Sequence, residues 1–109
     1  MQIRNRIRIN QNIDTELLNE LYYISKSLDF PQSRILEFGM KYALKKQLLP
    51  SKRSVIRSPI NLTINQNLWN DFKIYSKQNN IKLVHLLEES LKYSIKIYKK
   101  DLKSDPKSF

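Results

Sequence analysis

The sequence predicts a mostly α-helical protein with a two-stranded antiparallel β-ribbon. It is built from two tandem strand–helix–helix units that pack as one domain. Three observations carry this. In residues 6–13, apolar Ile7, Ile9 and Ile13 alternate with polar Arg6, Arg8, Asn10 and Asn12, the period of a strand with one buried face. Two segments with apolar residues at helical spacing follow. The whole pattern then returns, without a gap, after a shift of 51 positions that carries Arg6 onto Arg57.

The repeat is extensive. Ile9 meets Ile60, Asn10 meets Asn61, Ile13 meets Ile64, Leu17 meets Leu68 and Asn19 meets Asn70. Ser25-Lys26 meet Ser76-Lys77, Leu36-Glu37 meet Leu87-Glu88, and Lys41-Tyr42 meet Lys92-Tyr93. Conservative pairs include Leu21 with Phe72, Met40 with Leu91 and Leu44 with Ile95, and the turn residue Asp29 falls on Asn80.

In chain order, residues 1–5 form a polar arm and the first strand runs to about Ile13. Asp14 is an N-cap, its carboxylate able to accept from free amides of the first turn. Glu16 and Glu20 sit early, where the helix dipole favours negative charge. Leu17, Leu18, Leu21, Ile24 and Leu28 mark a helix over 15–28. It ends at Asp29-Phe30-Pro31, because proline cannot continue it and Asp29 suits a left-handed turn. A second helix runs from Pro31 or Gln32 to Gln47, with Ile35, Leu36, Phe38, Met40, Ala43 and Leu44 as its apolar set. Gly39 inside it costs about 1 kcal/mol relative to Ala, so it marks a close helix crossing.

Unit one is thus 1–48, and a basic linker spans 49–58. Unit two is 59–100: a strand Pro59–Ile64 with Ile60, Leu62 and Ile64 inward, an Asn65 cap, a helix over 66–79, an Asn80 turn and a helix over 82–99. Leu68, Trp69, Phe72 and Tyr75 face inward on the third helix, and Val84, Leu87, Leu91, Ile95 and Tyr98 share a face of the fourth. Residues 101–109 are expected to fray. One unit cannot bury enough surface alone, and its lone strand leaves amides unpaired. Pairing the two strands answers both problems.

Composition narrows function. The 109 residues carry 20 Lys plus Arg against 10 Asp plus Glu, a formal charge of +10. Such an excess favours a polyanionic partner. There is no cysteine, which excludes disulfides and thiolate metal sites and agrees with the reducing cytoplasm, the expected location. The single glycine rules out a Gly-rich phosphate loop. No apolar run approaches the ~18 residues of a membrane span, and the alternating N-terminus is not a signal peptide. No cofactor and no membrane partner is expected.

The alternating strand, Asp14 or Asn65 cap, Leu-x-x-x-Leu first helix, turn and apolar second helix resemble the ribbon-helix-helix family, that of the Arc and methionine repressors. The resemblance covers about 4–48 and 55–98. Two units in one chain look like the tandem members among accessory proteins of conjugative relaxosomes. The resemblance implies a non-enzymatic, double-stranded DNA-binding protein of a plasmid, phage or integrative element. It would be a transcriptional regulator (a repressor) or a relaxosome accessory factor. Partners would include further copies side by side on longer sites and a relaxase or other relaxosome proteins.

It also implies roles. The outward residues Arg6, Arg8, Asn10, Asn12, Asn61 and Thr63 would read bases in the major groove. The amides of Gln32 and Ser33, and of Leu83 and Val84, would hold phosphates at helix N-termini, a geometry that favours anions on general grounds. Lys82 would add charge, and Arg4, Lys52, Arg53 and Arg57 would flank the duplex. Departures from the family pattern are Gln11 on the inward side, Pro59 opposite the Arg8 pattern, Asp29 and Asn80 in place of a turn glycine, and Pro31 and Lys82 in place of Ser or Thr caps. Gln11 implies either a local register irregularity or a wet edge.

Other chemistry carries less. His85 with Glu88 and Glu89 reads as a solvated helix face. The six tyrosines cannot serve a nickase without a histidine cluster and, like Trp69, read mostly as packing. Lys92, Lys96, Lys99, Lys100 and Lys103 form a basic stripe that reads equally as a solvated face or a contact to flanking DNA. Two rival functions are an antitoxin, disfavoured by the short tail after Tyr98, and a basic RNA- or membrane-surface-binding bundle.

Overall fold

The alternation at residues 6–13 becomes a strand because its isoleucines have a core to cover. A computed structural model describes residues 5–50, 52 and 54–103, the side chains of residues 102 and 103 excepted. The elements are β1 (Arg6–Asp14), α1 (Thr15–Leu28), α2 (Gln32–Lys46), β2 (Arg57–Asn65), α3 (Gln66–Gln78) and α4 (Leu83–Lys103). Among the described residues the architecture is four helices under one two-stranded antiparallel sheet. The register is unbroken from Arg6 opposite Asn65 to Asp14 opposite Arg57. Ile9, Ile13, Ile60 and Ile64 are buried, with Ile7 and Leu62 half-buried beside them. Gln11 is half-buried opposite Ile60, so the register has no irregularity there. The second strand begins at Arg57, two residues inside the expected linker. Pro59 does not delay it, because every strand of a two-stranded ribbon is an edge strand.

Each strand turns directly into a helix. An Asp14 carboxylate oxygen accepts from the Glu16 amide at 2.9 Å, and the Asn65 side-chain carbonyl accepts from the Leu68 amide at 2.9 Å. The Thr15 amide donates to the Ile56 carbonyl at 2.9 Å and the Gln66 amide to the Asn5 carbonyl at 2.6 Å. The turns also close as the polar residues require. Asp29 and Asn80 are left-handed, with φ of 59° and 58°, a conformation Asn and Asp tolerate better than most side chains. Ser25 and Ser76 donate their hydroxyls to the carbonyls of Phe30 and Ile81. The fourth helix continues to Lys103, past the expected end at 99. Lys, Asp and Leu are compatible with a helix, and Lys99 is held by Glu20 of α1 at 2.7 Å.

Beneath the ribbon, α2 crosses α4. Phe72, Leu21, Ile24, Ile35, Met40, Leu86, Leu87 and Leu91 fill the interior, and Trp69 stacks on Phe72 within it. Gly39 stands at the crossing as its sequence position suggested. A Cβ there would lie 2.7 Å from the Ser90 carbonyl carbon and would overlap the Ser90 oxygen and Ser94 Oγ. Ser94 Oγ is buried there with no hydrogen-bond partner among the described residues. Next to the crossing, Tyr42 and Tyr93 stack 3.4 Å apart at 4°. Phe38, expected inward, is partly exposed and packs on Tyr93 and Tyr98. The Tyr75 hydroxyl donates to the Leu48 carbonyl at 2.6 Å, and burial pushes its pKa above the ordinary tyrosine value. No helix among the described residues is long and apolar enough to cross a membrane.

The crossing makes a signed prediction. Gly39→Ala would stabilise an ordinary helix by about 1 kcal/mol. Here the added methyl meets backbone, which cannot step aside like a side chain, and overpacking costs about 1–3 kcal/mol. Urea unfolding of Gly39→Ala should therefore show a lower midpoint than the parent chain.

Candidate nucleic-acid interface

The ribbon's second face follows from its first. If odd-numbered residues of β1 point into the core, the even-numbered ones must point out. Arg8, Asn10 and Asn12 of β1, and Pro59, Asn61 and Thr63 of β2, are all exposed. The register sets Arg8 opposite Thr63, Asn10 opposite Asn61 and Asn12 opposite Pro59. This face contains no acid. Arg8 makes no hydrogen bond or ion pair among the described residues, which leaves the five donors of its guanidinium for a ligand.

Arg6 and Arg57 are placed differently from the other candidates, each against a glutamate rising from a helix below. Arg6 Nη1 lies 3.1 Å from Glu37 Oε2, and its Nη2 donates to the Thr63 carbonyl at 2.8 Å. Glu37 Oε2 also accepts from the Asn65 amide at 2.9 Å. At the other end Arg57 holds Glu88 by two bonds, Nε to Oε2 at 2.7 Å and Nη2 to Oε1 at 3.0 Å. Glu88 Oε2 accepts from the Asp14 amide at 2.8 Å. Its side chain is fully buried, whereas that of Glu37 is 15% exposed. The hydrogen bond to Glu88 raises the pKa of Arg57 against the opposing effect of burial, helped by the charges of Glu88 and Asp14. Both arginines thus have an internal role that their strand positions did not reveal.

The first turns of α2 and α4 hold no acid. In α2 the Pro31 cap contributes no side-chain bond. The Arg34 and Ile35 amides turn back to the Pro31 carbonyl, and the His85 and Leu86 amides to that of Lys82. The amides of Gln32, Ser33, Leu83 and Val84 precede these bonds, as the first amides of any helix do. A concavity of about 500 Å³ beside α2 is lined by Arg6, Ser33, Arg34, Glu37, Phe38, Lys41 and Tyr98. Arg34, which lies 4.0 Å over the Phe30 ring, was not singled out from sequence. Its nearest signal was its place directly after Gln32-Ser33. At α4 a second concavity brings Lys52 and Lys82 together. Arg4 and Arg53 lie outside the described residues.

One expectation is corrected. His85 and Glu88 are not on a solvated face: His85 is 7% exposed and Glu88 is fully buried, because α4 is covered by α1, α2 and β1. Glu89 remains near the surface, 3.9 Å from Lys92. Among the described residues no group of His, Asp and Glu is arranged to hold a metal ion. The basic stripe is partly occupied, since Lys92 and Lys99 face Glu89 and Glu20. In comparisons with known proteins, no family model, no curated protein and no solved structure matches this chain.

The two glutamates should differ in consequence. Glu88→Ala leaves the buried Asp14 amide without its acceptor, a loss of about 1–3 kcal/mol. Glu37→Ala opens a site water can reach and should cost less. The order of the two urea midpoints checks this.

Proposed function

We propose that the chain is a sequence-specific, double-stranded DNA-binding protein that reads the major groove with its paired strands. The observation that carries the reading is the exposed, acid-free ribbon face of Arg8, Asn10, Asn12, Asn61 and Thr63. A two-stranded ribbon fits a major groove about 12 Å wide. Arg offers paired donors to guanine, and Asn offers a donor and an acceptor to adenine. Cations beside the starts of α2 and α4, with the amides of Gln32, Ser33, Leu83 and Val84, would take phosphates.

We read the two halves as tandem ribbon-helix-helix units forming an intrachain pseudo-dimer. Residues related by the 51-position shift meet one another at three places. Asn10 pairs with Asn61, Gly39 packs on Ser90, and Tyr42 stacks on Tyr93. Contacts recur in matched form. Arg6, Glu37 and the Asn65 amide correspond to Arg57, Glu88 and the Asp14 amide. A twofold relation between the halves would make each such residue the neighbour of its own counterpart, and these contacts support that reading. The cellular role we favour is a transcriptional regulator or a relaxosome accessory factor acting beside a relaxase. Pro59 stands where the first strand has Arg8, so one chain should prefer an imperfect palindrome.

Arg8→Ala should lose about 1–3 kcal/mol of binding and relax preference at one base. Arg6→Ala should lose less preference, because Glu37 and the Thr63 carbonyl already engage that guanidinium. Both are read by titrating labelled duplexes of varied sequence, and an Arg8→Ala chain with unchanged preference would refute the ribbon as reader. If about six phosphates are neutralised, log affinity should fall with log salt at a slope of roughly −5. A slope near zero would remove the electrostatic part of the proposal.

A further inference from the structure

The concavity beside α2 holds more than a grip on phosphate requires. Arg6, Arg34 and Lys41 line it. Its acid, Glu37, is already bonded to Arg6 and to the Asn65 amide. The Arg34 guanidinium lies 4.0 Å over the Phe30 ring, which attracts it, while its donors bond no described residue. Lys41 and the hydroxyls of Ser33 and Tyr98 also make no hydrogen bond or ion pair among the described residues. The rest of the wall is aromatic. Phe38 is 39% exposed, and Tyr98 meets the rings of Phe30 and Phe38 edge-on at 5.8 and 5.5 Å.

The positions related by the 51-residue shift lack this set. Ser33 falls on Val84, Arg34 on His85 and Phe38 on Glu89, while Tyr98 answers to Gln47. His85 is buried, and Glu89 lies 3.9 Å from Lys92, which answers to Lys41. Cations stand beside the starts of both α2 and α4, as contact with a DNA backbone would require. Phe and Tyr rings line the α2 concavity and not the one that joins Lys52 to Lys82. The rings therefore call for a ligand other than backbone phosphate.

We propose that the α2 concavity binds a small phosphate monoester carrying a planar ring, the chemistry of a mononucleotide. Arg34 and Lys41 hold the phosphate, the Ser33 hydroxyl donates to it, and the planar ring lies against Phe38 and Tyr98. Ligand pockets measure about 300–1,000 Å³. A concavity of about 500 Å³ thus admits the whole molecule, whereas a bare phosphate would leave most of it to water. Stacking on an aromatic side chain accepts any base, so the site selects a ring and a phosphate, not one base. Binding here goes beyond the DNA-binding reading and needs no DNA.

The test uses the full chain, isotope-labelled for amide spectra, without DNA. Adenosine, guanosine, cytidine and uridine 5′-monophosphates are titrated separately, beside inorganic phosphate and adenosine. At least one nucleotide should bind about tenfold tighter than inorganic phosphate, and adenosine should bind more weakly than its monophosphate. The amide shifts should centre on Ser33, Arg34, Phe38 and Lys41. Nucleotides that bind no better than phosphate, adenosine that binds as well as its monophosphate, or shifts centred elsewhere would each overturn the proposal.

Variants separate the two halves of the ligand. Arg34→Ala and Lys41→Ala should each weaken nucleotide binding about tenfold. Lys77→Ala, the same loss of charge on the exposed side of α3, should leave it unchanged. Phe38→Leu should lower nucleotide affinity to that of phosphate while phosphate still binds. Equal losses from Lys77→Ala and Lys41→Ala would mean attraction by net charge alone and overturn the site. If a variant fails to fold, the parent-chain titration still decides. A chain that binds a nucleotide and no duplex would sink the DNA-binding reading and support this one; a chain that binds duplex and no nucleotide would do the reverse.

Discussion

Pairing of β1 with β2 is the interaction on which the other features depend. A single strand exposes a row of unsatisfied amides and carbonyls, and neither half of this chain supplies its own second strand. The nine consecutive pairs close the inner sides of both strands and bring Ile9, Ile13, Ile60 and Ile64 over one core. Because each strand runs straight into a helix, the pairing also sets where α1 and α3 begin. The capping side chains of Asp14 and Asn65 sit at the two corners where ribbon becomes helix. The outer face is a by-product of the same geometry, since a buried row on a pleated strand always has an exposed row behind it.

The ribbon is held at its ends by charge as well as from below by apolar packing. Glu37 and Glu88 each reach from a helix to a strand-end amide and to an arginine. A buried carboxylate is tolerable only when its charge is paired and its oxygens are bonded, and Glu88 meets that condition with Arg57 and the Asp14 amide. The arrangement fixes the strand ends to α2 and α4, the helices that cross at Gly39. It also withdraws cationic surface from the ends while Arg8 stays exposed. Arg8, two pairs in from one end of the ribbon, keeps a guanidinium that no described residue engages.

Likeness and difference between positions 51 apart fall on different parts of this molecule. The residues that close the architecture are preserved between halves: the strand-end glutamates, the turn serines, the turn residues Asp29 and Asn80, and the stacked Tyr42 and Tyr93. Of the outward residues Asn10 and Asn61 are alike, whereas Arg8 falls on Pro59 and Asn12 on Thr63. Across the ribbon Arg8 faces Thr63. Core positions are constrained by close packing. Surface positions are constrained only by what they touch, which is where the two halves differ.

Much of the fold was legible in the sequence because its signals are local. A period of two, a period of 3.6, an Asp or Asn before a helix and a proline after one act over a few residues. They located the first helix at its observed bounds and the others within a few residues. Gly39 announced a close crossing, yet Ser90 as the other party came only from tertiary structure. The outward candidates Arg8, Asn10, Asn12, Asn61 and Thr63 followed from alternation alone and are exposed. The ion pairs of Arg6 and Arg57, the burial of His85 and Glu88 and the position of Arg34 over Phe30 were not foreseen. Glu88 lies 74 residues from the amide it accepts and 31 from the arginine it pairs with. Sequence periodicity determined which face of each element is apolar; only the packing of distant elements decided which polar groups would share that interior, because a buried charge goes wherever the folded chain supplies its partner.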